Sequence, residues 1–219
     1  MLFNIKYMEY NYISLGDHCV SAELIQHIGM RKASYPFDWN IMLPMVQTSS
    51  ITYNMEILNT LMKTHQVKDI TRIYIGNALN SDLQQYRMNR LNNHYAIWFP
   101  HESGTRDEIV AKYERRFERL YNDVQTKQNV FVICSRCVQI SQDYFDNVLL
   151  TTLLGYNPAN KIIFISGSNH EYLAEDKYKT CVLFKHVRYD FSGTLDDYDP
   201  IFRKNIRDYL DTFQQKFFE

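Results

Sequence analysis

Apolar positions along this chain fall into two alternating habits: short unbroken runs, and longer stretches with helical spacing. The runs YISLG (12–16), RIYIGN (72–77), HYAIWFP (94–100), NVFVICS (129–135), KIIFISG (161–167) and KTCVLFKHV (179–187) read as strands. NVFVICS and KIIFISG are almost wholly apolar, the pattern of strands covered on both faces. Helical spacing predicts a helix over 17–29, with Val20, Leu24, Ile25 and Ile28 inward, Asp17 as N-cap and Gly29 as C′ stop. Further helices are expected over 51–64, 105–127, 141–155 and 199–218. The third turns Ile109, Tyr113, Phe117 and Leu120 inward and sets Asp107 and Glu108 in its first turn. The last opens on Pro200 at its first position.

Strands that alternate with helices, the later ones apolar on both faces, predict an α/β fold. The expected architecture is a three-layer domain with a mostly parallel sheet and helices on both faces. No linker, repeat or low-complexity segment divides the chain, so a single domain over 1–219 is expected. In such sheets ligands bind beyond the carboxyl ends of the strands. The residues expected on that rim are Gly16, Asp17, His18 and Cys19, then His101 and Glu102, Ser135 and Arg136, Ser166 to His170, and His186 to Arg188.

Charge narrows the function classes. With 24 basic and 25 acidic residues the net charge is −1, which gives no footprint for duplex nucleic acid or an anionic membrane. No run of 18 apolar residues spans a bilayer, and the N-terminus lacks the three regions of a signal peptide. The expected setting is the cytoplasm, with Cys19, Cys134, Cys137 and Cys181 as reduced thiols.

Cys19 carries the chemistry. A thiol on the first turn of a helix feels unpaired N–H groups and the positive end of the helix dipole, which raises its thiolate fraction. A histidine within reach completes a nucleophile. His18 is adjacent in sequence, but neighbours on a helix diverge, so the partner is expected from another strand end. The rival reading makes Cys19 a packing residue. CSRC (134–137) reads as strand-end packing rather than a redox pair, and zinc would need two further ligands that the sequence does not pair with it. No metal and no cofactor is expected. Arg136 at a strand's end suits a carboxylate or phosphate. Asn169 and His170, after a buried strand, suit a third catalytic member or a substrate contact. ERRFERL (114–120) reads mainly as a solvated helix face.

SLGDHC (14–19) followed by GMRKASYPFDW (29–39) resembles the signature of a family from bacteria and large DNA viruses described as papain-like cysteine peptidases. The match rests on Ser14, Leu15, Gly16, Cys19, Arg31, Lys32, Pro36, Phe37, Asp38 and Trp39. Looser matches follow at His101 and at Arg116-Phe117. Where the family follows its histidine with Asp-Phe or a second histidine, this chain has Glu102-Ser103. The resemblance implies Cys19 as nucleophile and His101 as base. It also implies an alternative fold, a papain-like α+β arrangement. Asp38 suits orientation of a histidine, or acceptance from the cysteine helix's backbone. Phe37 and Trp39 are expected over the cysteine helix.

Two activities follow. The first is a cysteine-dependent hydrolase or acyltransferase acting on a peptide or an acylated glycan, with Gly16, Asp17, His18, Trp39, Arg136, Asn169 and His170 at the substrate. The second is a glycosyltransferase-like enzyme that holds a nucleotide-sugar at the strand ends, with Cys19 structural and the helix N-terminus on the phosphate. A non-catalytic binding module is the third reading.

Overall fold

The computed structural model describes residues 10–16, 19–39, 41–44, 50–76, 88–90, 95–99, 101–135, 140–166, 182–186 and 204. In chain order these form β1 (Asn11–Ser14), α1 (Val20–His27), β2 (Ile41–Pro44), α2 (Ser50–Thr64), α3 (Val67–Ile75), β3 (Met88–Arg90) and β4 (Tyr95–Trp98). Next come α4 (Arg106–Thr126), β5 (Asn129–Ser135), α5 (Gln142–Tyr144), a π-helical turn (Phe145–Leu150), α6 (Thr151–Tyr156), β6 (Lys161–Ser166) and β7 (Val182–His186). The helix expected over 199–218 lies outside the described residues, save Lys204.

β1, β5, β6 and β7 form one parallel sheet in the order β1-β5-β6-β7. Its side chains alternate between two cores. Tyr12, Val130, Val132, Cys134, Ile163 and Ile165 face α1, which supplies Val20, Leu24 and Ile25. Ile13, Leu15, Phe131, Ile133, Ile162 and Phe164 face the other way, toward α2, α4, the π-turn and α6. Helices therefore cover both faces, and this is why NVFVICS and KIIFISG carry almost no polar residue. The three-layer α/β reading holds: α1 packs on the parallel sheet. A second sheet, antiparallel in the order β2-β4-β3, contains the strand expected at 94–100.

One expected strand is a helix. The first four residues of RIYIGN, Arg72 to Ile75, belong to α3, where Ile70, Thr71, Tyr74 and Ile75 are buried at helical spacing and Ile73 stays 56% exposed. Its β-branched residues favour strand locally, but packing of a helical face against α4 overrides that preference. Local signals close several of the other helices. Gly29 has φ +72°; its N–H donates to the Gln26 carbonyl while the Met30 N–H donates to Ile25, a Schellman stop for α1. Thr105 and Glu108 close a capping box on α4. Ser141 caps α5 by accepting from the Tyr144 N–H at 3.1 Å.

The amino edge of the parallel sheet is pinned by a buried polar row. Asn11 and Asn129 are in register, and Asn11 Nδ2 donates to Asn129 Oδ1 at 3.0 Å. The Asn129 N–H donates to Asn160 Oδ1 at 2.8 Å, and Asn160 Nδ2 donates to the Leu153 carbonyl. The Tyr35 hydroxyl lies 2.6 Å from Asp123 Oδ2 and 2.9 Å from Asn11 Oδ1. Burial, reinforced by Asp123, holds that phenol protonated far above its usual range. Opposed to this fixed edge is the carboxyl edge, where β1 and β5 release the chain.

Candidate functional site

β1 runs straight into the turn that carries Cys19. Gly16 is required there by space. A Cβ on it would stand 2.1 Å from Ser21 Oγ and 2.9 Å from the Cys134 carbonyl oxygen. Ser21, on the first turn of α1, reaches down to accept from the Cys134 N–H at 3.0 Å, so α1 is tied to β5 directly beside Gly16. On the other side Asn54 of α2 donates Nδ2 to the Gly16 carbonyl at 2.7 Å. The turn is thus held from both faces of the sheet. The Oδ1 of Asn54 and the Oγ of Ser14 are buried and have no hydrogen-bond partner among the described residues.

Cys19, not Asp17, is the N-cap of α1. Its backbone is already helical (φ −56°, ψ −18°), its carbonyl accepts from the Glu23 N–H, and its side chain makes no capping hydrogen bond. The thiol therefore sits at the positive end of the α1 dipole, on a residue that is 2% exposed. The chain leaves β1 toward the α1 face. It leaves β5, its sheet neighbour, toward the opposite face, where Phe145, Leu149 and Leu153 pack. Adjacent strands whose connections diverge in this way open a crevice at their carboxyl ends, the usual ligand position in open parallel sheets.

Residues 30–39 then carry the chain from the α1 face, past the β1 end of the strand order, to the α4 face. Met30 packs with α1, while Tyr35 and Phe37 belong to the opposite core. Phe37 meets Tyr74 and Phe117 edge-on, at 5.9 and 6.2 Å. The expectation that it lies over the cysteine helix is corrected: crossing the sheet edge takes it to α3 and α4. Asp38 is buried. It accepts from Arg31 at 2.8 Å and from the Tyr35 N–H at 2.9 Å, rather than from the α1 backbone. Burial lifts its carboxyl to about 6, against the lowering pull of that N–H and of Arg31. Arg31 also donates to Ser34 and Gln26 and lies 4.6 Å over the Trp39 ring.

Trp39 meets His101 edge-on at 5.7 Å. His101 is exposed, while the residues that flank its turn, Phe99 and Glu102, are buried. Cys19 stands one helical turn before Ala22. Ala22 lines a small interior space with Tyr12, Ile25, Arg31 and Asp38. The structure thus joins Trp39 to His101 and Asp38 to Arg31, beside the helix that Cys19 opens. Asp17, His18, Arg136, Asn169 and His170 lie outside the described residues.

Two participants were missed in the sequence, and a third was read there only as a loose family match on a solvated helix face. Asn54 and Ser21 act only through contacts 38 and 113 residues away, to Gly16 and Cys134, which no local pattern announces. Arg116 falls in the segment read as a solvated face, yet its side chain is 11% exposed and pairs with Glu102 at 3.0 Å. Its place beside the inward Phe117 was the available signal. Among the described residues no cluster of His, Cys, Asp and Glu could hold a metal ion, and no helix is long and apolar enough to cross a membrane.

A family model described as "Putative papain-like cysteine peptidase (DUF1796)" matches residues 10–149, from β1 to the π-helical turn. No curated protein matches the chain, and no solved structure does.

Proposed function

The chain belongs to that papain-like cysteine peptidase family, and from this premise we propose a cysteine-dependent hydrolase or acyltransferase in which Cys19 is the nucleophile and His101 the base. The observation that carries the proposal is the position of Cys19. It opens α1 at the carboxyl end of β1, in a turn that Gly16, Ser21 and Asn54 fix from both sides. A nucleophile needs this fixity, because small misplacements are costly in rate. The backbone N–H groups and the positive dipole end at the start of α1 favour the thiolate and suit stabilisation of a developing oxyanion. Acyl transfer then proceeds in two steps. The thiolate adds to the substrate carbonyl, and the leaving group departs with a proton from His101. Water or a second acceptor, deprotonated by His101, releases the acyl group from sulfur.

Asp38 acts in this account through Arg31, which fixes the loop that presents Trp39 to His101. Gly16, Asp17, His18 and Trp39 are assigned to the near side of the substrate. Arg136, Asn169 and His170, which follow β5 and β6 in sequence, are assigned to its far side. A peptide or an acylated glycan fits the chemistry.

A second reading is favoured by one observation, the 2% exposure of Cys19 at the carboxyl end of a strand of the parallel sheet. There Cys19 only packs, and the α1 N-terminus holds a nucleotide-sugar phosphate. A short pulse of iodoacetamide at low pH, read site by site by mass spectrometry, separates the two. The nucleophile reading expects Cys19 to label faster than Cys134, and His101→Ala to slow that labelling. Labelling of Cys19 no faster than Cys134 in the folded protein favours the nucleotide-sugar reading.

A further inference from the structure

His101 sits on a turn whose two ends are pinned to α4 by different means. At one end Phe99 is buried against Tyr113 and Tyr74, at 5.6 and 5.9 Å. At the other, the Glu102 side chain is 2% exposed and is held by Lys112 and by Arg116. The Glu102 N–H closes the turn onto the Phe99 carbonyl at 3.4 Å. Arg116 in turn lies 4.9 Å over the Tyr113 ring. An apolar side chain would anchor a turn with less desolvation than a buried carboxylate, and buried ion pairs are often replaceable by hydrophobic residues without loss of stability. What two cations on two carboxylate oxygens add is direction: they fix one orientation of the turn. The residue that this orientation leaves exposed is His101, against Trp39.

We infer that Glu102 is a positioning residue: clamped by Lys112 and Arg116, it holds the Phe99–Glu102 turn on α4 so that His101 stands against Trp39. The catalytic meaning of this rests on His101 being the base, as proposed above. The clamp itself does not.

The test reads His101 through Trp39, independently of any substrate. In a Trp98→Phe background, Trp39 is the sole indole. A protonated imidazole in contact quenches it, so emission changes with pH; Asp38, the residue before Trp39, adds a change of its own, and the part lost in His101→Ala is the step that His101 supplies. Glu102→Gln removes the charge from the clamp and is expected to lose the step while thermal melting still reports a folded protein. Lys112→Gln loosens the same clamp at its more exposed cation and is expected to diminish the step. A step of wild-type size in folded Glu102→Gln overturns the inference. So does a pH response that His101→Ala leaves unchanged. If Glu102→Gln does not fold, Lys112→Gln decides: a diminished step supports the clamp and an unchanged one overturns it. Cys19 labelling in His101→Ala reports on the nucleophile–base pair separately. A clamp that passes while that labelling is unslowed leaves Glu102 in place and removes the catalytic role.

Discussion

Replacing Gly16 with alanine should be among the most damaging single-methyl changes in this protein. The new Cβ would lie 2.1 Å from Ser21 Oγ, so that hydroxyl must rotate away and abandon the Cys134 N–H it accepts from at 3.0 Å. Orphaning a buried N–H costs about 1–3 kcal/mol. The hydroxyl is only half of the obstacle. The Cys134 carbonyl oxygen at 2.9 Å belongs to the backbone of β5, the strand between β1 and β6, and cannot swing aside. Forcing a methyl into such a space adds roughly 1–3 kcal/mol. The expected total is about 4 kcal/mol, read by urea unfolding at unchanged slope. Ser21→Ala alone loses the same hydrogen bond. The two changes together should therefore cost about 1–3 kcal/mol less than their sum. A Gly16→Ala cost below about 1 kcal/mol, or strict additivity with Ser21→Ala, would refute the packing argument.

Two further outcomes follow. Asp38 is pushed up to about 6 by burial, so the folded state holds its proton more tightly than the unfolded chain does. Its contribution to stability is then fully present below about pH 3.8 and falls by about 3 kcal/mol as pH rises through 6. The stability gap between wild type and Asp38→Asn should accordingly shrink with rising pH, whereas an ordinary stabilising ion pair would widen it; urea midpoints measured from pH 4 to 7.5 distinguish the two. Asn54→Ala leaves the buried Gly16 carbonyl without its donor and should cost about 1–3 kcal/mol, seen as a lower urea midpoint, while a cost near zero would mean that the turn does not depend on α2.

What could be read from the sequence divides along a physical line. Strands β5 and β6 were visible because burial on both faces leaves almost no polar position to confuse the pattern. The end of α1 was visible because Gly29 at positive φ is a local signal. Cys19 was visible because a strand, a glycine and a helical stripe enclose it within a few residues. α3 was misread because β-branched Ile70, Ile73 and Ile75 favour a strand locally, and only the packing partner reveals which face is buried. The asparagine row at the amino edge was invisible: Asn11, Asn129 and Asn160 become neighbours only when the strands pair. The same holds for Glu102, whose partners lie 10 and 14 residues ahead on α4, where Arg116 looked like one more charge on a wet helix face.

The central claim is that the start of α1 makes Cys19 a nucleophile. Its most direct test is a thiolate titration of Cys19 in a variant with Cys134, Cys137 and Cys181 replaced by serine, monitored by the rate of alkylation with a small reagent. The account predicts a midpoint below the reference value of about 8.5, and a slower rate below that midpoint when His101 is alanine. A midpoint at or above the reference, indifferent to His101, would contradict it.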